Sequence, residues 1–162
     1  MFLAEKQYDC IYIPAYSFSL LIQDSDVFSG LATMKDMLKP EGRILMGVLT
    51  DFGYTNNKKH SIHIDNPRIV SEDNIEIVLN SRTVYDKENS ISLSKMTYEL
   101  FENGKSTKKE TEDFYIKRYR NSEIEEFVEA ACLTIEDIFV DFSKTKYTRQ
   151  NTETMIYVLK NN

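Results

Sequence analysis

The residues able to do chemistry in this 162-residue chain gather at a few short stretches, and most are hydrogen-bonding or aromatic groups. Pro14-Ala15-Tyr16-Ser17-Phe18 supplies a phenol, a hydroxyl and a second ring directly after an apolar run. Thr50-Asp51-Phe52 supplies a hydroxyl and a carboxylate after another. Arg82 and Tyr85, with Arg118 and Tyr119, offer cationic and phenolic groups suited to covering a polar small molecule; an exposed sheet face is the plainer account of the same residues. His60 and His63 stand three apart with Asp65 close by, but neither a cysteine nor an acidic cluster accompanies them, so a polar surface loop is expected instead of a metal site. No nucleophile, base and acid stand at a telling spacing.

These stretches need a scaffold, and the pattern of apolar residues describes one. Tyr8-Asp9-Cys10-Ile11-Tyr12-Ile13-Pro14 reads as a strand buried on both faces, ended by the proline's missing donor. Asp24-Ser25-Asp26 offers capping oxygens and acidic charge for a helix start. Val27, Leu31, Met34 and Leu38 then recur at helical spacing, widened by Phe28 and Met37. Lys39-Pro40-Glu41-Gly42 should stop that helix and turn the chain into a second apolar strand, Ile44 to Leu49. Strand, helix and strand make a βαβ unit of a parallel sheet. Ligands of such sheets sit beyond the carboxyl ends of the strands, where the Pro14–Phe18 and Thr50–Phe52 stretches fall.

After Thr50 the texture becomes alternating. Asn56-Asn57-Lys58-Lys59 reads as a polar loop and Asn66-Pro67 as a turn or extended breaker. Ile75, Ile77 and Leu79 share one face, with an irregularity expected at Ser81-Arg82, and Ile91, Leu93, Tyr98 and Leu100 continue the theme after a shift. Asn103-Gly104 is a hairpin signal between Met96–Glu102 and Lys108–Tyr119. Asn121-Ser122-Glu123 then caps a helix whose buried stripe is Ile124, Phe127, Val128 and Ala131. Two strands finish the chain, Leu133–Phe142 and Thr154–Leu159, around the polar stretch Ser143–Glu153. The expected organisation is one domain of three parts: a βαβ unit (1–50), an antiparallel insert (51–120), and a final helix with two strands (121–162).

Composition narrows the partners. A net charge of −6 argues against nucleic acid as the main partner, and acids interleave with the mild basic clusters at Lys105–Lys109 and Lys117–Arg120. No apolar run approaches a membrane span, and nothing resembles a signal peptide, so a cytoplasmic protein is expected. Cys10 and Cys132 lie far apart in apolar surroundings and read as small core residues in a reducing compartment.

The order β, α, β, antiparallel insert, α, β, β resembles the C-terminal half of a class I S-adenosylmethionine-dependent methyltransferase. Tyr8-Asp9 before its apolar run is similar to that family's fourth strand. Leu38-Lys39-Pro40-Glu41-Gly42-Arg43 is similar to the turn into its fifth, with Glu41 replacing the usual first glycine. Arg118-x-Arg120 followed by Ser122-Glu123 and Phe127 resembles the segment entering the last helix. The fold implied is α/β, a partial Rossmann-like sheet equivalent to strands 4, 5, 6 and 7, whose last two strands form the family's antiparallel pair.

The resemblance implies S-adenosylmethionine as cofactor, with Pro14, Tyr16 and Ser17 at its edge, and Phe18, Asp51, Arg82, Tyr85, Arg118 and Tyr119 toward a small-molecule acceptor. It also implies a deficit. The five glycines, Gly30, Gly42, Gly47, Gly53 and Gly104, stand alone, so the family's acidic-x-Gly-x-Gly loop has no counterpart. The acids that hold the ribose and the adenine have none either. The chain is therefore expected to be the product of a longer or split protein, or a natural half-domain, and to be inactive alone. A non-enzymatic module is the alternative. An unpaired edge at Tyr8–Pro14 then implies a homodimer or a complementing N-terminal half.

Overall fold

The computed structural model describes residues 6–52, 66–70 (main chain only), 75–120, 122–148 and 152–162. The polar loop expected at 56–59, the His60/His63/Asp65 group and Asn121 lie outside them. The chain divides into two compact units, Met1–Asn56 with Lys117–Asn162, and Asn57–Ile116.

The first unit opens with β1 (Tyr8–Ile13), a short 3-10 turn (Ser17–Leu20), α1 (Asp24–Asp36) and β2 (Leu38–Leu49). It closes with α2 (Glu123–Ala130), and the strands Leu133–Phe139 and Thr154–Asn161, which are β7 and β8 once the second unit's β3 to β6 are counted. Its sheet runs β1-β2-β8-β7, with β1 parallel to β2, β8 antiparallel to β2, and β7 antiparallel to β8. A parallel pair joined to an antiparallel pair is the order the family resemblance implies.

Strand alternation explains the core. Ile44, Met46 and Val48 of β2 pair with Leu159, Tyr157 and Met155 of β8, and all six are buried. Paired residues of an antiparallel ladder share a face, so these six make one apolar surface. Val27, Leu31 and Met34 of α1 and Ile124 and Val128 of α2 complete the same cluster. Each such side chain contributes about 1.5–3 kcal/mol when fully withdrawn from water.

Several local expectations change. β1 is not buried on both faces: it ends the sheet with β2 as its one neighbour among the described strands, and Tyr8 and Tyr12 are 42% and 53% exposed. Cys10 lies on that strand and Cys132 in the turn after α2, and both are exposed, not core. Lys39–Gly42 does not separate helix from strand, because β2 already begins at Leu38. Tyr8 pairs with Leu38 and Cys10 with Arg43, so two steps along β1 face five along β2 and the proline segment bulges. Neither helix carries a side-chain cap. Gln23 takes the N-cap position before Asp24, whose carboxylate is drawn instead to Lys117.

The second unit contains β3 (Asn66–Val70), β4 (Ile75–Asp86), β5 (Ile91–Glu102) and β6 (Lys105–Lys117, which runs on into the first unit), in that order across one sheet. Asn66-Pro67 opens a strand and is not a turn; β3 is an edge strand, where proline's missing donor is tolerated. Pairing of β4 with β5 runs without a shift from Ile75↔Glu102 to Asp86↔Ile91, so there is no irregularity at Ser81-Arg82. Asn103 (φ 50°) and Gly104 (φ 76°) make the two-residue turn between β5 and β6. Two consecutive positive φ angles suit the right-handed twist of a hairpin, and glycine adopts the second without strain.

Candidate functional site

Three segments meet at the carboxyl ends of the parallel strands. The first leaves β1 through Pro14 and two consecutive left-handed residues, Ala15 (φ 52°) and Tyr16 (φ 57°). A non-glycine pair in that region is costly and marks a sharply re-aimed chain. Ser17 closes the turn: its amide and its Oγ both donate to the Pro14 carbonyl, at 3.0 and 2.7 Å. The second segment follows β2. The Leu49 amide donates to Ser19 Oγ at 2.9 Å, the Thr50 amide to the Glu153 carbonyl at 3.0 Å, and the Thr50 hydroxyl to the Thr152 carbonyl. The third is Tyr119, which lies beside Thr50 like an extra parallel strand. Its amide donates to the Leu49 carbonyl at 2.9 Å and its carbonyl accepts from the Asp51 amide at 3.0 Å.

Side chains fill in around this frame. The Phe18 and Tyr119 rings stack with centroids 6.4 Å apart, and both are buried. Tyr119's hydroxyl is buried without a hydrogen-bond partner among the described residues, and burial, with Glu123 and Asp24 near, pushes its pKa well above the usual phenol value. Tyr16 lies over Gly47 of β2, where an added Cβ would stand 2.9 Å from its ring, and faces Phe142 at 5.9 Å. Beneath Tyr119 sits Lys117, its side chain 5% exposed. Its ammonium pairs with Asp24 at 2.5 Å and Glu123 at 2.9 Å, and lies 5.3 and 5.4 Å from the Tyr119 and Phe127 rings. Burial works to lower the Lys117 pKa; the two carboxylates outweigh it and hold the group above its usual value.

The residues singled out from sequence are thus spread unevenly. Pro14, Tyr16, Ser17, Phe18, Asp51 and Tyr119 converge at one end of one sheet. Arg118 precedes Tyr119 and is half-buried. Arg82 and Tyr85 lie in the second unit, three residues apart on β4, and so on opposite faces of that strand. Ser17's proton is committed to Pro14, leaving only its lone pairs for a ligand. Phe18 and Tyr119 present stacked core rings and little open surface. Ser19, Lys117 and Phe142 are structural members of the site that the sequence pattern did not single out. A buried lysine carries no periodic signal, and Ser19 lies in a turn with none.

At the opposite pole a hollow of about 780 Å³ is lined by residues including Lys35, Pro40, Arg43, Thr134 and Lys160. It lies away from the carboxyl ends, where ligands of parallel sheets bind. Among the described residues no group of histidine, cysteine and acidic side chains is placed to hold a metal, and no helix is long and apolar enough to cross a membrane.

No family model and no curated protein matches the chain. Solved structures do. The chain is similar to an S-adenosylmethionine-dependent methyltransferase from Clostridium acetobutylicum ATCC 824, with a TM-score of 0.76 at 15% identity over 100% of this chain and 61% of that one. It is similar to the sugar N-methyltransferase KedS8 from Streptoalloteichus sp ATCC 53650, with a TM-score of 0.72 at 13% identity, over 100% of this chain and 60% of that one. It is similar also to CalS10, a SAM-bound amino pentose methyltransferase from Micromonospora echinaspora, with a TM-score of 0.68 at 10% identity, over 100% and 61%. The chain spans about three-fifths of the length of these structures. It has the class I S-adenosylmethionine-dependent methyltransferase fold.

Proposed function

We propose that this chain supplies the acceptor side of a small-molecule methyltransferase, and that the 162 residues alone bind S-adenosylmethionine poorly. The observation that carries the reading is the convergence of Pro14–Ser19, Thr50–Asp51 and Tyr119 at the carboxyl ends of β1 and β2. An amino sugar is the first acceptor class to test, because KedS8 and CalS10 are described as acting on sugars of that kind. When bound, S-adenosylmethionine supplies an electrophilic methyl group on a sulfonium. The chain's part is to hold an amine with its lone pair in line and to exclude water. On this reading Asp51 orients a polar acceptor, and Tyr16 with Phe142 walls it.

The cofactor's own partners are few here. No Gly-x-Gly occurs in the sequence, and Ser17's proton is used internally. Isothermal titration of S-adenosylmethionine into the chain is expected to show no saturable binding in the micromolar range; micromolar affinity overturns the weak-binding half of the proposal.

A second reading, a non-enzymatic interaction module, is favoured by one observation. β1 ends its sheet with Tyr8 and Tyr12 exposed, an edge suited to strand pairing with a complementing half. On this reading Tyr12→Asp abolishes assembly with that partner; assembly unaffected by the substitution counts against it.

A further inference from the structure

We infer that Glu123 is a positioning residue for the acceptor site: its one carboxylate clamps both ends of the Lys117–Arg120 segment and, through Tyr119 between them, sets where the main chain of Asp51 lies. The inference rests on the acceptor-side reading of that pole; the clamp itself can be measured without it.

All the contacts fall within the first unit. In extended chain, residues two apart share a side, so Lys117 and Tyr119 both turn inward and are buried, while Arg120 is exposed. Glu123 Oε1 pairs with the Lys117 ammonium at 2.9 Å. Glu123 Oε2 accepts the Arg120 amide, also at 2.9 Å, and the Glu123 amide donates back to the Arg120 carbonyl at 3.1 Å. One side chain therefore holds a four-residue segment at both ends. At its middle the Tyr119 amide donates to the Leu49 carbonyl at 2.9 Å, and the Tyr119 carbonyl accepts the Asp51 amide at 3.0 Å. Moving either end of the segment moves the strand that Asp51 leans on.

Local structure explains why this carboxylate takes the part. Ser122, at the N-cap of α2, has φ 70° and makes no side-chain hydrogen bond to the helix, so the entry lacks its usual capping oxygen. Glu123 reaches backwards instead, from the helix's first turn, where the dipole favours a negative charge. Both of its bonds are charge-assisted and its side chain is only 24% exposed, so they outweigh neutral surface contacts. Asp24 is not equivalent. It pairs with the ammonium at the start of the segment and its side chain is 70% exposed, so it braces one end weakly. The Arg120 amide, at the other end, is held by Glu123.

Amide hydrogen exchange of the full chain, read at Asp51 as a ratio to Ile44 of β2, tests the clamp. Glu123→Ala should raise that ratio about tenfold, the loss of a charge-assisted hydrogen bond. Glu123→Gln offers one acceptor to two donors; it should raise the ratio about threefold, and decides the matter if Glu123→Ala fails to fold. Asp24→Asn should leave the ratio within about twofold, as should Glu129→Gln, the same charge change at an exposed position further along α2. Titration with glucosamine, followed by the Asp51 amide resonance, reads the consequence for the site. Glu123→Ala should weaken that binding about tenfold and Glu129→Gln should not. An unchanged exchange ratio in folded Glu123→Ala, or an equal rise with Asp24→Asn, overturns the clamp. Undiminished glucosamine affinity in Glu123→Ala overturns the positioning role. A wild-type chain that binds no glucosamine, while its variants show the exchange effect, overturns the acceptor-side reading and leaves the clamp standing.

Discussion

Lys117 and Asp24, 93 residues apart in sequence, form an ion pair at 2.5 Å in which the lysine side chain is almost wholly enclosed. Glu123 supplies a second carboxylate at 2.9 Å. The ammonium thereby ties the first turn of α1 to the first turn of α2, directly under the ring of Tyr119. Asp24→Asn is expected to cost about 1 kcal/mol, since Asp24 is itself largely exposed and Glu123 remains. Asp24→Asn with Glu123→Gln leaves a buried, unpaired ammonium and should cost about 3–5 kcal/mol, more than the two single changes summed. Urea unfolding of the three variants reads this directly; additive effects contradict it.

Alkaline stability follows from three protons. Burial pushes the Tyr119 and Tyr157 phenols above their ordinary 10.0, and Lys117 is held above its ordinary 10.5. In each case the folded chain keeps a proton that the unfolded chain releases first. The associated stability is complete below the unfolded values and is lost as pH rises beyond about 10 toward the folded ones. Unfolding free energy should therefore fall above pH 10, and absorbance titration should show two tyrosines ionising late until denaturant frees them. Stability flat between pH 9 and 12 contradicts the burial of these groups.

Gly47→Ala addresses the Tyr16 wall. The new methyl group meets the ring at 2.9 Å, closer than carbon atoms tolerate. The ring must move, and with it the contact to Phe142. A loss of about 1–3 kcal/mol is expected. Tyr16→Ala should remove most of the penalty when combined with Gly47→Ala, as a double-mutant cycle in chemical unfolding will show. Equal cost in both backgrounds places the strain elsewhere.

Ser19→Ala removes the oxygen that accepts the Leu49 amide at 2.9 Å, at a buried position. An amide left unsatisfied there should cost about 1–3 kcal/mol. Hydrogen exchange at Leu49 and Thr50 should quicken more than at Ile44 in the same strand; uniform protection across β2 rejects the tie.

Elements with a local cause were legible in the residues. The Val27/Leu31/Met34 stripe became α1, Asn103-Gly104 became a turn with two positive φ angles, and the parallel-then-antiparallel strand order emerged as the pattern implied. What stayed hidden depends on neighbours far along the chain. Tyr8–Pro14 reads as an unpaired edge, yet Cys10 and Tyr12 look apolar enough for a core, and only the assembled sheet leaves both exposed. Lys117 reads as one more charge in a mildly basic stretch until Asp24 and Glu123 are seen around it. Ser17, Asp51 and Tyr119 lie together because each follows or borders a strand end, a position the apolar pattern marks. Ser19 and Phe142 join through a main-chain amide and a ring contact that no spacing encodes.

The acceptor-side proposal is tested most directly by amide-resolved NMR of the isotopically labelled chain titrated with an amino sugar. Shifts centred on Ser17, Thr50, Asp51 and Tyr119 are the predicted result. Shifts centred instead on Lys35, Arg43 and Lys160 at the opposite pole, or none at millimolar sugar, contradict it.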